Sequence, residues 1–237
     1  MGADLNFWAA AAPLIFASGP DTDALVALLA LPAGGRVLEH VGGLGRHALD
    51  LASKGFAVTV RGEAGLEQAR AAFEAAGLEA QVEHGDPRRS GPGPGYDAVI
   101  GLQAALGTYE ENVDDLVMLM AAHKDLKPGG ALLLRLRPRG VVPEGVMEQD
   151  YLARGELDLL EERCLPAGSD VQGIRWVLHT GDRRFQAERQ VRLFEWYELH
   201  GLLSRAGFAD VRFFLDLAGT AYHEGAPRMV ALARRGM

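Results

Sequence analysis

The sequence predicts an α/β protein: a doubly wound, mostly parallel seven-stranded sheet with helices on both faces and an antiparallel β insert after the fifth strand. Three observations predict it. Strand-like and helix-like patterns alternate five times between Arg36 and Leu134, which implies a parallel sheet covered on both faces. The rhythm then shifts to period-two alternation between residues 156 and 194, the signature of antiparallel strands. Finally, Val211–Leu217 and Arg228–Ala233 read as strands joined by a loop short enough to make them an antiparallel pair.

With 237 residues, 48% of them hydrophobic, the chain is expected to form a single domain. Its expected parts are an N-terminal helical cap over 1–33, the sheet, and the insert over 140–194. The formal charge of -8 gives a field that repels nucleic acid and anionic lipid. The clusters Arg88–Arg89, Arg135–Arg137–Arg139 and Arg183–Arg184 read as solvated faces and not as polyanion sites. One cysteine, Cys164, excludes an internal disulfide and a cysteine metal cluster, and no metal site is predicted. No stretch approaches the roughly 20 apolar residues of a membrane span, and a cytosolic protein is expected. The oligomeric state is not readable.

Residues 4–16 read as an apolar helix broken by Pro13 that packs as a lid. Asp21 or Thr22 caps a helix carrying Leu25, Leu28 and Leu29, ended by Pro32 and Gly34. Val37, Leu38 and Val41 form the first strand, which runs through the glycine-rich turn Gly42-Gly43-Leu44-Gly45 into a helix stopped by Gly55. Such a turn passes close beneath a ligand, and the free N–H groups of the helix offer donors to it. Phe56–Val60 is the second strand, with Arg61-Gly62-Glu63 at its end, and Leu66, Ala69, Phe73 and Ala76 recur at helical spacing. A third strand around Gln81–Glu83 leads to His84-Gly85-Asp86-Pro87, and Tyr96–Ile100 is the fourth. A loop through Gln103 and Tyr109 opens a helix over 110–126, with Val113, Leu116, Val117 and Met120 along one face. The fifth strand is Ala131–Leu134. In the insert, 156–163, 174–180 and 184–194 read as strands, with a Gly181-Asp182 hairpin turn. Ligands of such a sheet bind beyond the carboxyl ends of its strands, so the loops after Glu39, Val60, Glu83, Ile100 and Leu136 are expected to converge on one site.

This order resembles the class I S-adenosylmethionine-dependent methyltransferases, in particular a small-molecule N-methyltransferase-like branch with a β insert. The resemblance covers roughly residues 35–235 and rests on linked motifs. Val37-Leu38-Glu39 with Gly45-Arg46-His47 looks like the first motif, and Gly85-Asp86 resembles the one whose acid bonds adenine. Tyr96–Ile100, Leu126-Lys127-Pro128-Gly129-Gly130 and Ala206-Gly207-Phe208 match the fourth strand, the turn into the fifth and the family's ending. The resemblance implies S-adenosylmethionine as cofactor and Glu39, Val41, Gly42, Gly43, Gly45, Glu63, Asp86, Pro87 and Gln103 as its contacts. It also implies a small-molecule acceptor near Tyr109.

Two departures stand out. The first turn glycine of the family falls on Val41, and the ribose-binding acid after the second strand is displaced to Glu63. They motivate an alternative, a catalytically silent methyltransferase-fold protein serving as a binding or assembly module. A third reading takes Gly43-x-Gly45-x-x-Ala48 with Glu63 as the dinucleotide fingerprint of a nicotinamide-dependent reductase.

Several residues carry two readings. Glu39 bonds turn N–H groups or a cofactor amine, or else a salt-bridge partner; Asp86 binds adenine or caps its own loop. His40 reads as a satisfied core histidine and His47 as structural. Arg137 or Arg139 grips a substrate carboxylate or pairs internally with Glu144, Asp150 or another acid. Tyr151, Arg175 and Trp176 are expected to line the acceptor cavity from the insert. No catalytic residue is assigned, because methyl transfer asks the protein chiefly for alignment and desolvation.

Overall fold

The computed structural model describes residues 7–8, 10–11, 14, 22–40, 45–63, 65–91, 95–102 and 106–237. Helix α1 (Thr22–Leu29) precedes β1 (Arg36–His40), α2 (Arg46–Ser53), β2 (Ala57–Gly62), α3 (Leu66–Ala76), β3 (Gln81–His84) and β4 (Tyr96–Gly101). Then come α4 (Asn112–Asp125), β5 (Leu126–Leu136) and the four strands of the insert, β6 (Met147–Arg154), β7 (Leu157–Cys164), β8 (Val171–Thr180) and β9 (Arg183–Arg192). Helix α5 (Trp196–Arg205) and strands β10 (Phe208–Phe214) and β11 (Met229–Arg235) close the chain.

Seven strands form one sheet in the order β10-β11-β5-β4-β1-β2-β3, and β6-β7-β8-β9 form a second. The first five strands of the large sheet are parallel, whereas β11 runs antiparallel to both β5 and β10. The expected α/β class, strand count and insert all hold. Alternation along each strand explains why both faces are apolar. Val37, Val60, Ala98, Ile100 and Leu133 pack against Leu25, Leu51 and Phe73 of α1–α3. Leu38, Val99, Leu132 and Leu134 pack on the other face against Met118, Leu119, Leu199 and Leu203 of α4 and α5. Gly45 adopts φ +73, and a Cβ there would meet both Val60 methyls at 3.4 Å, so this glycine lets α2 start close against β2.

Three expectations need correcting. Strand β6 was not foreseen, because Met147–Arg154 has no one-sided apolar alternation and is exposed along almost its whole length. Helix α4 is turned the other way from the predicted face: Val113, Val117 and Met120 are 61%, 38% and 42% exposed. Two carboxylates cause this. Asp115 and Asp125 point inward because each is paired with a buried arginine, Arg192 and Arg61, at 2.8 and 2.7 Å. His40 is buried as expected but is not satisfied, since neither ring nitrogen has a hydrogen-bond partner among the described residues.

Most of the expected N-terminal lid, including Pro13, lies outside the described residues. Of that segment, Phe7, Ala11 and Leu14 are buried against Leu178, Phe185 and Ala187 of the insert.

Candidate active site

The site lies at the carboxyl ends of β1, β2, β3, β4 and β5. At the end of β1, Glu39 is buried and accepts hydrogen bonds from the Ala48 backbone N–H at 2.7 Å and His47 Nδ1 at 3.2 Å. It therefore holds α2 against the strand, which makes His47 structural as expected. On the other face of β1, burial, helped by the nearby Arg61 cation, lowers the His40 pKa to about 3. That imidazole stays neutral. Val41, Gly42 and Gly43 lie outside the described residues, as does Gln103.

At the end of β2 Gly62 is buried, and Glu63, expected to take the place of a ribose-binding acid, follows it, exposed. The Glu63 carboxylate makes no hydrogen bond to a described residue. Arg61 turns below the sheet to Asp125 and Glu83. Beyond β3, Asp86 is engaged: it accepts the Arg88 backbone N–H at 2.9 Å and takes the Arg88 guanidinium on both oxygens. The loop-capping reading of Asp86 is the one observed, with Pro87 half-buried in that turn. The side-chain bond to Arg88 holds the Asp86 carboxyl below the usual carboxylate range. Arg88 also reaches Asp114 at 3.0 Å and lies 5.0 Å from the centre of the Tyr109 ring. Burial pushes the Tyr109 phenol up, and Asp86 and Glu63 add to this against Arg88. Glu63 and Asp86 thus stand within electrostatic reach of Tyr109.

A clamp the sequence did not reveal fixes the loop after β4. Gly107 donates its N–H to Asp115 at 2.7 Å and accepts the Arg192 N–H at 2.6 Å. The Arg192 side chain donates to Asp115 and to the carbonyls of Tyr109 and Glu110. A Cβ on Gly107 would lie 2.3 Å from the Arg192 carbonyl oxygen, so only glycine fits there. The loop carrying Tyr109 is by this means bolted to β9 of the insert.

Between the ends of β4 and β5 and the inner face of the insert lies a cavity of about 500 Å³, within the range of small-molecule sites. Its charged lining includes Arg135, Arg137, Arg163, Arg228, Glu148 and Asp150. Arg137 is held by Glu148 at 2.6 and 2.7 Å, and Arg163 pairs with Asp150 and Glu161. Arg139 points away and pairs with Glu198 of α5 at 2.8 Å. The internal-pair reading therefore describes both Arg137 and Arg139.

Two other guanidinium groups remain. Arg135 donates Nε to the Leu102 carbonyl at 3.1 Å, and neither it nor Arg228 meets an acid within ion-pair distance among the described residues. Burial and the neighbouring Arg46 and Arg228 lower the Arg135 pKa, with Glu39 opposing. A cue was present in the sequence, an arginine between Leu134 and Leu136. For Arg228 there was none.

The insert lines the cavity, but through residues other than the three expected. Tyr151 and Arg175 stand on its outer face, exposed, with Arg175 bonded to Glu162. Trp176 packs against Phe7 and Trp8 and donates Nε1 to Glu161 at 2.6 Å. Among the described residues no group of histidine, cysteine or carboxylate side chains is placed to hold a metal, and no helix is long and apolar enough to cross a membrane.

The sequence matches no family model and no curated protein. Solved structures do match. An S-adenosylmethionine-dependent methyltransferase from Clostridium acetobutylicum superposes with a TM-score of 0.79 over 98% of both chains at 14% identity. The methyltransferase CcbJ from Streptomyces caelestis also gives 0.79, over 99% of this chain and 100% of that one, at 19% identity. CalS10 from Micromonospora echinaspora, an amino pentose methyltransferase solved with S-adenosylmethionine bound, gives 0.69 at 21% identity over 90% of this chain and 88% of its own. The fold is the one these methyltransferases share.

Proposed function

We propose that this protein is an S-adenosylmethionine-dependent methyltransferase whose small-molecule acceptor carries an anionic group. The observation that carries the reading is the opposite polarity left at two places on the carboxyl-end side of the sheet: an open carboxylate, Glu63, beyond β2, and two guanidinium groups lining the cavity beyond β5, Arg135 and Arg228, that meet no acid within ion-pair distance among the described residues. The fold and the cofactor-bound neighbours support the choice of cofactor.

The residues fit such a cofactor with one exception. Glu63 would accept hydrogen bonds from ribose hydroxyls, the start of α2 would offer N–H groups and positive potential, and Tyr109 would border the adenosine. Asp86 does not fit as it stands, because Arg88 occupies both of its oxygens. When bound, the cofactor supplies an electrophilic methyl on a sulfonium. The chain's own work is alignment and exclusion of water. Arg135 and Arg228 hold the anionic group of the acceptor, and the insert with Phe7, Ala11 and Leu14 covers the cavity. Methyl transfer to a nucleophile of the acceptor needs no catalytic triad, and the proton it releases goes to solvent.

Thermal unfolding with S-adenosylmethionine, S-adenosylhomocysteine and NADH tests this reading. At a hundred times the dissociation constant, specific binding adds about 2.7 kcal/mol. A shift with both adenosyl compounds and none with NADH is expected, and that pattern removes the reductase reading. The engagement of Asp86 by Arg88 favours one rival, the silent binding module. A large gain in cofactor affinity on Val41→Gly, with no turnover in the native protein, would support that rival.

A further inference from the structure

We infer that the protein is a symmetric homodimer whose two copies meet along α4. On this helix Val113, Val117 and Met120 are 61%, 38% and 42% exposed, and with Lys124 they follow the 4-3-4 spacing of a coiled-coil seam. The opposite face of α4 already packs on the sheet through Met118, Leu119 and Ala122. An apolar stripe of this kind on a helix that is buried on its other side marks an interface.

The charges choose the partner. Lys124 ends the stripe, and Glu110 and Glu111 stand at its beginning, all three exposed. None of the three side chains makes an ion pair with a described residue. A two-fold axis between Val117 and Met120 runs the two helices antiparallel. It stacks Val117 on Met120 of the partner copy and sets Lys124 over Val113, about one turn from Glu110 and Glu111 and within reach of a lysine side chain, twice by symmetry.

The 14 residues of α4 span about 21 Å, and one helix face of that length covers less area than the roughly 800 Å² per partner of a standard interface. Helix α5 packs beside α4 and carries two further exposed aromatic residues, Trp196 and Tyr197, 37% and 57% exposed. A second group of exposed apolar residues, Val146, Met147, Tyr151 and Leu152, lies at β6; Met147 and Tyr151 share one face of the strand and Leu152 points to the other.

The test is the mass of the full chain by analytical ultracentrifugation, with circular dichroism as the check on folding. The native protein is expected at twice the chain mass. Val117→Glu sets two carboxylates against each other at the axis and is expected to raise the dimer dissociation constant about 100-fold with an unchanged spectrum. Lys124→Glu is expected to raise it roughly 5-fold, more at low salt. Adding Glu110→Lys and Glu111→Lys to Lys124→Glu restores the pairing and the dimer. A native monomer, or a dimer that survives Val117→Glu undiminished, would overturn the inference.

Discussion

The rim above β2 and β3 and the cavity beyond β5 are both crowded with charge, but the charge is compensated in opposite ways. Above β3, Asp86, Arg88 and Asp114 close on one another and the group left over is an acid, Glu63. In the cavity, Arg137 and Arg163 are taken by Glu148, Asp150 and Glu161, and the groups left over are cations, Arg135 and Arg228. A ligand pair that donates hydrogen bonds at one end and presents an anion at the other fits that difference. Under the proposed function, uncompensated charge, and not the number of charged residues, sets the binding surface apart from its scaffold.

The strongest way to break the comparison is to remove the leftover cations. Arg135→Met with Arg228→Met is expected to weaken acceptor binding about 100-fold, the range of losing charge-assisted hydrogen bonds, while cofactor affinity measured by titration stays as in the native protein. His40 stands on β1, between the two regions, and its effect is on stability. Its folded pKa of about 3 lies below its ordinary 6.5, so the unfolded chain binds more protons between those values and stability falls as the pH drops through that window. At about pH 5 the loss amounts to roughly 2 kcal/mol. Denaturant unfolding of His40→Leu is expected to lack this acid sensitivity, and an unchanged pH profile would show that His40 is not its source.

The smaller effects lie on the cofactor side. Glu63→Ala is expected to weaken S-adenosylmethionine binding about 10-fold, the value of one or two hydrogen bonds to a carboxylate, with Glu63→Gln in between. Arg88→Met frees Asp86 and is expected to tighten cofactor binding by roughly 3-fold, a fraction of a partly exposed ion pair. Weaker binding in that variant would make Arg88 itself a cofactor contact.

The centre of the large sheet was legible because its strands are buried on both faces, so Val58–Val60, Ala98–Ile100 and Ala131–Leu134 read as apolar runs between glycine stops. Strand β6 was not, because neither of its faces is buried and no alternation marks it. The facing of α4 misled for a definite reason. Asp115 and Asp125 look outward by polarity, and only the distant Arg192 and Arg61 explain why they are inside.

The site divides in the same manner. Glu39, Glu63 and Tyr109 could be placed from strand ends, because topology alone brings those ends together. The fate of Asp86 hinged on Arg88 two residues later, and that of Arg137 on Glu148 across the insert. Which arginine keeps its charge uncompensated depends on pairings that no local pattern encodes.

The proposed function requires the carboxyl-end rim of this sheet to bind S-adenosylmethionine through Glu63. Isothermal titration calorimetry of the native protein and of Glu63→Ala decides whether it does. One cofactor per chain is expected for the native protein, with about 10-fold weaker binding for the variant. Absence of binding to the native protein, or equal affinity in the two, would contradict it.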